Sequence, residues 1–279
     1  MTDATKPSTT KSATGRVVTG DATPPPSPTP SLATDPEVAV ERATPGPSRP
    51  VTVIDAGVGN LGNLRRALEA LGAEVVVTAD PAVVAEGRCL VLPGVGAFAP
   101  PRERLRGALE GAIRSALEGG AWLLGICVGF QLLFTAGEEF GETDGLDLLP
   151  GRVRKLPGTV TLPHIGWNRL DLVPGAAGGA LLAGLPEQAW VYFVHSYAPH
   201  GVPQEMVLAR TLHGTAFPAA AAHGRVMGTQ FHPEKSGATG LTILGNFLRM
   251  ARAPLDPSTV IATADPDSDP TPDTPSEES

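Results

Sequence analysis

The sequence predicts a three-layer α/β domain with a central parallel/mixed sheet flanked by helices. Three observations point there. Short apolar runs of strand length alternate with segments of helical spacing from Val51 to Ile126; successive strands separated by turn residues follow; and both ends of the chain lack the apolar content to join either pattern. Strands that alternate with helices and are apolar throughout belong in a parallel sheet covered on both faces.

The ends set the domain limits. Residues 1–50 carry PPPSPTP and frequent Thr and Ser, and residues 255–279 carry DPDSDPTPDTPSEES. Neither can bury enough apolar surface to offset the entropy of ordering, so both are expected to be disordered tails around one domain, 51–254. The net charge of −8 comes chiefly from the C-terminal tail, because the core holds 16 basic and 17 acidic residues. That core has no basic field for nucleic acid. Its two cysteines, Cys89 and Cys127, form no CxxC pair, so neither a disulfide framework nor a zinc ribbon is expected, and no metal or cofactor is implied. No stretch is apolar enough to span a membrane, and the N-terminus has no apolar core of a secretory signal; a cytoplasmic protein is expected.

Within the core, Val51–Asp55 is the first strand, and Leu64–Leu71 has helical spacing, with Gly72 as the terminating glycine. Glu74–Thr78 and Cys89–Leu92 are the second and third strands. A helix over Arg104–Leu117 leads to a fourth strand in GGAWLLGI. Arg152–Leu156, Ala189–Ser196, Met206–Thr211, Thr215–Ala220 and Arg225–Phe231 are strands, and Leu241–Ala251 is a final helix. The first strand–helix junction, GVGNLG, fits a dinucleotide-binding fingerprint by letter, with Asp80 as the acid such a site needs at the end of the second strand. A tight turn facing a partner is the better reading.

Gly125-Ile-Cys127-Val-Gly129 has the spacing of a nucleophile elbow, in which glycines two residues either side let strand and helix pack around a sharp turn. The helix N-terminus favours a thiolate, and the Val128 N–H is a natural donor to an oxyanion. A cysteine nucleophile needs a base. His232, in GTQFHPE, follows the last strand, and Glu234 lies two residues on, where an extended chain points both side chains the same way. Cys127, His232 and Glu234 thus have the logic of a hydrolase triad. Gly94, Val95 and Gly96, in PGVG at the end of the third strand, offer a second oxyanion donor, and the glycines let the Gly94–Val95 peptide turn over at low cost. A simple β–α turn is the alternative. Cys89, inside an apolar strand, is read as core.

GICVGFQLLF, GTQFHPEKSG and PGVGAF together resemble the class I, or triad, glutamine amidotransferases. More narrowly, VIDAGVGNLGNL, PHIGWN, YFVHSYAP and HPEKSGATGLTILGNFL resemble the family of glutaminase subunits of imidazole glycerol phosphate synthase, over about residues 51–250. Val128 and Phe130 stand where leucine and methionine are usual. The resemblance implies the class I glutaminase fold and hydrolysis of glutamine: Cys127 attacks the amide, His232 protonates the departing ammonia and then activates water, and Glu234 orients His232. It implies that Gln131 and the backbone of His195, Ser196 and Tyr197 line the glutamine pocket. It also implies a heterodimer with a cyclase subunit, which uses the ammonia in histidine biosynthesis. Asn60, Asn63, Trp167, Tyr192 and Lys235 lie on motifs resembling the docking face; ordinary polar loop residues and a core tryptophan are the alternative. A glutaminase subunit of another pathway shares the triad but not PHIGWN and YFVHSY. A non-catalytic α/β module with a structural cysteine is the reading from a different class.

Overall fold

The computed structural model describes residues 50–175 and 179–252. Both expected tails lie outside them, apart from Pro50. The chain runs β1 (Val51–Ile54), α1 (Leu61–Ala70), β2 (Val75–Thr78), α2 (Pro81–Glu86), β3 (Cys89–Gly94), α3 (Ala99–Leu105), α4 (Ala108–Glu118), β4 (Trp122–Cys127) and the short α5 (Val128–Gln131). There follow β5 (Phe134–Gly137), β6 (Thr143–Asp144), β7 (Leu149–Lys155), β8 (His164–Arg169), β9 (Asp171–Leu172), β10 (Trp190–His195), β11 (Tyr197–His200), β12 (Val207–His213), β13 (Thr215–His223), β14 (Val226–Thr229) and α6 (Gly237–Arg252).

Eight strands make the central sheet, in the order β2-β1-β3-β4-β14-β13-β12-β9. It is parallel from β2 to β14 and antiparallel from β14 onward. Burial follows: β1 and β3 are buried at every position, as strands with helices on both faces must be. A four-stranded sheet, β11-β7-β5-β6, and the two-stranded antiparallel sheet β10-β8 complete the second half. Seven phenylalanines are fully buried: Phe98, Phe130, Phe134, Phe193, Phe217, Phe231 and Phe247. Among the described residues no helix is long and apolar enough to cross a membrane.

Local chemistry explains where the elements depart from expectation. The first helix starts at Leu61 because the Asn60 side chain accepts the Asn63 N–H at 3.2 Å, an N-cap. The helix expected over Arg104–Leu117 is two helices broken at Gly107, whose φ is +77°. α2 was not anticipated: Asp80 caps it by accepting from Ala82 N at 2.9 Å, with Pro81 at its first position. Asp80 is therefore engaged as a cap, and the Gly57 N–H of the glycine-rich loop donates to Asp55 Oδ1 at 2.8 Å. β5, β6, β8, β9 and β11 lie outside the strands that the sequence predicts.

Packing under the β4–α5 turn leaves no room for a side chain. A Cβ on Gly129 would stand 1.8 Å from the Leu92 carbonyl oxygen, and one on Gly125 would stand 2.8 Å from the backbone of Gly129 and Phe130. Gly228 on β14 is bare because the Phe130 ring lies on it. Gly111, by contrast, sits exposed within α4 with open space around it. Gly111→Ala should therefore stabilise the protein by about 0.5–1 kcal/mol, or roughly 1–4 °C in melting temperature. Gly129→Ala should destabilise it by at least about 1–3 kcal/mol. Thermal melts of the two variants beside the parent check both signs.

Candidate active site

Cys127 ends β4 and α5 begins at the next residue, so the whole change of direction falls on one residue. Its backbone takes φ +54°, ψ −110°, a region that L residues seldom adopt. The bare glycines at 125 and 129 permit that turn, and it lifts the thiol to the carboxyl edge of the parallel strands, where open α/β sheets bind ligands. Register brings the neighbours to the same edge: Gly94 pairs with Cys127, and Thr229 of β14 pairs with Ile126 on the other side. The chain leaving β14 thus delivers His232 beside the cysteine.

His232 and Glu234 meet, but through the tight turn Pro233–Lys235 and not through the extended segment that the sequence predicts. His232 Nδ1 and Glu234 Oε1 are 2.8 Å apart, with side chains 2 % and 4 % exposed. Burial alone would lower the His232 pKa, but the Cys127 sulfur and the Glu234 carboxylate outweigh it and raise it to about 9. Cys127 and His232 line the same cavity. Yet His232 Nε2 itself has no hydrogen-bond partner, so the contact is not a formed hydrogen bond. Such looseness between nucleophile and base is common before substrate closes the geometry. The sulfur itself lies 3.9 Å from Val194 O and from Gln230 Nε2.

A cavity of about 240 Å³ opens over the thiol. Val95, Gly96, Cys127, Val128, Gln131, His195, Ser196, Tyr197 and His232 all line it. Gly94 does not. It stands beneath, where a Cβ would be 2.7 Å from Gly129 N and 2.8 Å from the Val128 Cβ. Its smallness is required by the elbow, so a larger residue there would displace the nucleophile rather than selectively hinder a peptide turning over. Gly96, at φ +84° with open space around it, is the position with backbone freedom. Gln131 Nε2 donates to Tyr197 O at 2.8 Å and Gln230 Oε1 at 3.1 Å, which leaves its carbonyl oxygen for a ligand.

Sequence reasoning missed four contributors, one of them Val194, which lines the cavity. Glu139 lines the cavity, its Oε2 held by the Phe98 N–H at 2.8 Å. It belongs to an acidic loop with no periodicity to mark it. Pro163 lines the cavity too, and Gln230 anchors Gln131; both lie in quoted motifs that carried no separate chemical signal. The expected docking residues fall into one patch and a flank. Trp167 is 48 % exposed on β8, not core; it meets the Tyr192 ring edge-on at 6.1 Å, and Lys235 Nζ lies 5.7 Å from the Tyr192 ring centre. Asn60 and Asn63 open α1, which packs beside the turn at Pro233–Lys235. Cys89 is buried in β3, and burial pushes its thiol up to about 12. Among the described residues no group of His, Cys, Asp and Glu is arranged to hold a metal ion.

Behind the cavity wall runs a chain of neutral imidazoles. His195 Nδ1 lies 2.8 Å from Tyr197 O, so it carries the proton and leaves Nε2 to accept from His164 Nδ1 at 3.2 Å. His164 Nε2 then accepts from Asn168 Nδ2 at 3.3 Å. Each ring has one compatible tautomer. Burial holds His164 at about 4 and His195 at about 3. His213 stacks on His164, ring centres 4.1 Å apart. A folded pKa below the unfolded value of about 6.5 means the unfolded chain binds more protons, so stability falls as pH drops from there toward the folded values. The protein should therefore lose melting temperature between about pH 6.5 and 4, and His164→Phe should flatten that slope. For His232 the sign is opposite: its contribution is full below about 6.5 and is lost as pH rises through 9. Melts in steps of pH measure both.

Comparison with known proteins agrees with this geometry. The family model described as glutamine amidotransferase class-I matches residues 52–251. The imidazole glycerol phosphate synthase subunit HisH of Symbiobacterium thermophilum is 47 % identical over 201 residues, which cover 72 % of this chain and 93 % of the relative. That of a Synechococcus strain is 48 % identical over 205 residues, covering 71 % and 92 %. Among solved structures, a glutamine amidotransferase superposes with a TM-score of 0.59 at 23 % identity over 73 % of this chain and 99 % of its own. PurLQS from Thermotoga maritima gives 0.56 at 16 % identity over 73 % and 99 %. These structures share the fold. A strained cysteine, a buried His–Glu pair and this degree of identity lead to one conclusion: the chain belongs to the class I glutamine amidotransferase family, among the HisH subunits of imidazole glycerol phosphate synthase.

Proposed function

We propose that residues 51–254 form a glutaminase that releases ammonia from glutamine for a docked cyclase subunit, together making imidazole glycerol phosphate synthase. The observation that carries the reading is the strained Cys127 turn opening into the cavity that also holds His232, itself paired with Glu234 at 2.8 Å. The thiolate of Cys127 attacks the side-chain amide carbon of glutamine. The developing oxyanion is held by the Val128 N–H and by a backbone N–H of the Gly94-Val95-Gly96 segment. His232, protonated beside the thiolate, gives its proton to the amide nitrogen; the C–N bond breaks and ammonia leaves, with a γ-glutamyl thioester remaining. His232 then takes a proton from water, the hydroxide attacks the thioester, and glutamate and thiolate are released.

Substrate recognition follows from charge and donors. Free glutamine carries an α-ammonium and an α-carboxylate. Glu139, the acidic group in the cavity wall, suits the ammonium, and the backbone of Ser196 and Tyr197 suits the carboxylate. Gln131 presents its carbonyl oxygen beside them. Ammonia released into water at neutral pH is protonated and no longer nucleophilic, so a partner carrying the acceptor must cover the site. The patch of exposed Trp167 with half-buried Tyr192 and Lys235, flanked by Asn60 and Asn63, is the face that supports such docking.

Two tests follow. In the complex, Cys127→Ala should abolish glutamine-dependent synthesis and leave ammonia-dependent synthesis intact, while Cys89→Ala keeps both; joint loss of the two activities in Cys127→Ala would make the cysteine structural. Steady-state glutaminase assays of the chain alone, with the cyclase, and with cyclase plus its ligand should show turnover rising in that order. One missing oxyanion donor accounts for roughly 10²–10³ of the difference. Equal turnover in all three would remove the partner from control of the site.

A further inference from the structure

His232 is held by more than Glu234. Its N–H donates to Tyr192 O at 2.9 Å. In an antiparallel pair of residues the return bond would run from Tyr192 N–H to His232 O. Here a hydroxyl is inserted into that bond: Tyr192 N–H donates to Ser236 Oγ at 3.0 Å, and Ser236 Oγ–H donates to His232 O at 2.6 Å. The insertion is forced by the sequence. Pro233 turns the chain out of strand geometry immediately after His232, and Ser236 ends that turn with its own N–H on Pro233 O at 3.0 Å. The turn cannot relax, because α6 packs on it so closely that a Cβ on Gly240 would stand 1.8 Å from Pro233 O. Ser236 is 2 % exposed and uses its hydroxyl as donor and acceptor at once, so water cannot substitute for it without a cavity opening.

The other side of the bridge is the half-buried Tyr192, whose ring meets the exposed Trp167 and the half-buried Lys235. One peptide therefore joins that face to the backbone of the base. We infer that Ser236 is a positioning residue for His232, its hydroxyl locking the imidazole over Cys127 and tying the base to the Trp167–Tyr192–Lys235 face. This deepens the glutaminase reading and rests on it. Without the hydroxyl, Tyr192 N–H and His232 O lose their common partner, and the base is free to drift from the sulfur.

The test uses the complex with its cyclase. Ser236→Ala should lower kcat for glutamine by about 10- to 100-fold, the order expected when a reacting group is misplaced by roughly 1 Å. KM for glutamine and ammonia-dependent synthesis should change little. Ser236→Thr, which keeps the hydroxyl, should recover most of the loss. A second readout needs no turnover: the rate at which iodoacetamide alkylates Cys127, followed against pH. Its profile should shift in Ser236→Ala and return in Ser236→Thr, because it reports the coupling of the sulfur to His232. Equal loss in both variants, a rise in KM that accounts for the loss, or an unchanged alkylation profile would each overturn the assignment. If Ser236→Ala fails to fold, Ser236→Cys, which keeps the shape and weakens the hydrogen bonds, should show the same pattern at smaller amplitude. Parent protein that alkylates at Cys127 but never hydrolyses glutamine would defeat the glutaminase reading and leave the Ser236 coupling to be judged on the alkylation profile.

Discussion

The close approach of Gly129 to the Leu92 carbonyl, where a Cβ would stand 1.8 Å away, is the constraint on which the rest of the site depends. It lets α5 lie directly on β3, so the chain must reverse within Cys127 alone and that residue is held at positive φ. A cysteine on a regular strand or helix would be packed like Cys89, an inert thiol in the core. The two cysteines therefore differ in chemistry because of the glycines around one of them. Phe130 secures the same turn from the other side by filling the space that Gly125 and Gly228 leave bare.

Sheet order does the remaining placement. β4 is the meeting point of two halves: β3 brings the PGVG segment to one side of Cys127, and β14, which arrives only after the antiparallel excursion through β12 and β13, brings His232 to the other. Residues about a hundred apart in sequence thus share one cavity. The antiparallel β10-β8 pair flanks it, with His195 on its buried face and Trp167 on the other. Inner wall and outer face are therefore two sides of one small sheet, which is how an event at the surface can reach the base.

Legibility in the sequence tracked how local the determining physics is. β1, β3 and β4 were readable because burial on both faces demands continuous apolar runs, and the elbow was readable because its glycines stand at fixed offsets from Cys127. His232 and Glu234 are neighbours in the sequence and do meet, but the turn at Pro233–Lys235 brings them together where an extended segment is expected. β8 was not readable: HIGWNR alternates buried and exposed positions with a glycine and polar residues, and its stability comes from pairing with β10 and from His164. The helix break at Gly107 was smoothed over because the apolar spacing continues across it. Glu139 was invisible for a deeper reason. Nothing near it in sequence marks it, and its role depends on Phe98 N–H, 41 residues away.

The buried polar groups divide into two systems with opposite requirements. Around His232 the protein gathers negative charge, so the ring favours its protonated form despite being buried. Around His195 it gathers neutral donors and acceptors in a single compatible order, from Asn168 through His164 to Tyr197 O, so protonation of either ring would remove an acceptor the neighbour needs. The separation has a purpose that electrostatics makes plain. A second imidazolium in the cavity wall would repel the first, and His195 faces the same cavity as His232. Keeping His195 neutral thus helps keep His232 charged, and the charged ring is the one whose backbone is fixed to Tyr192 through Ser236. Charge is set by the side-chain partners of each ring, and position by the strand on which each is hung.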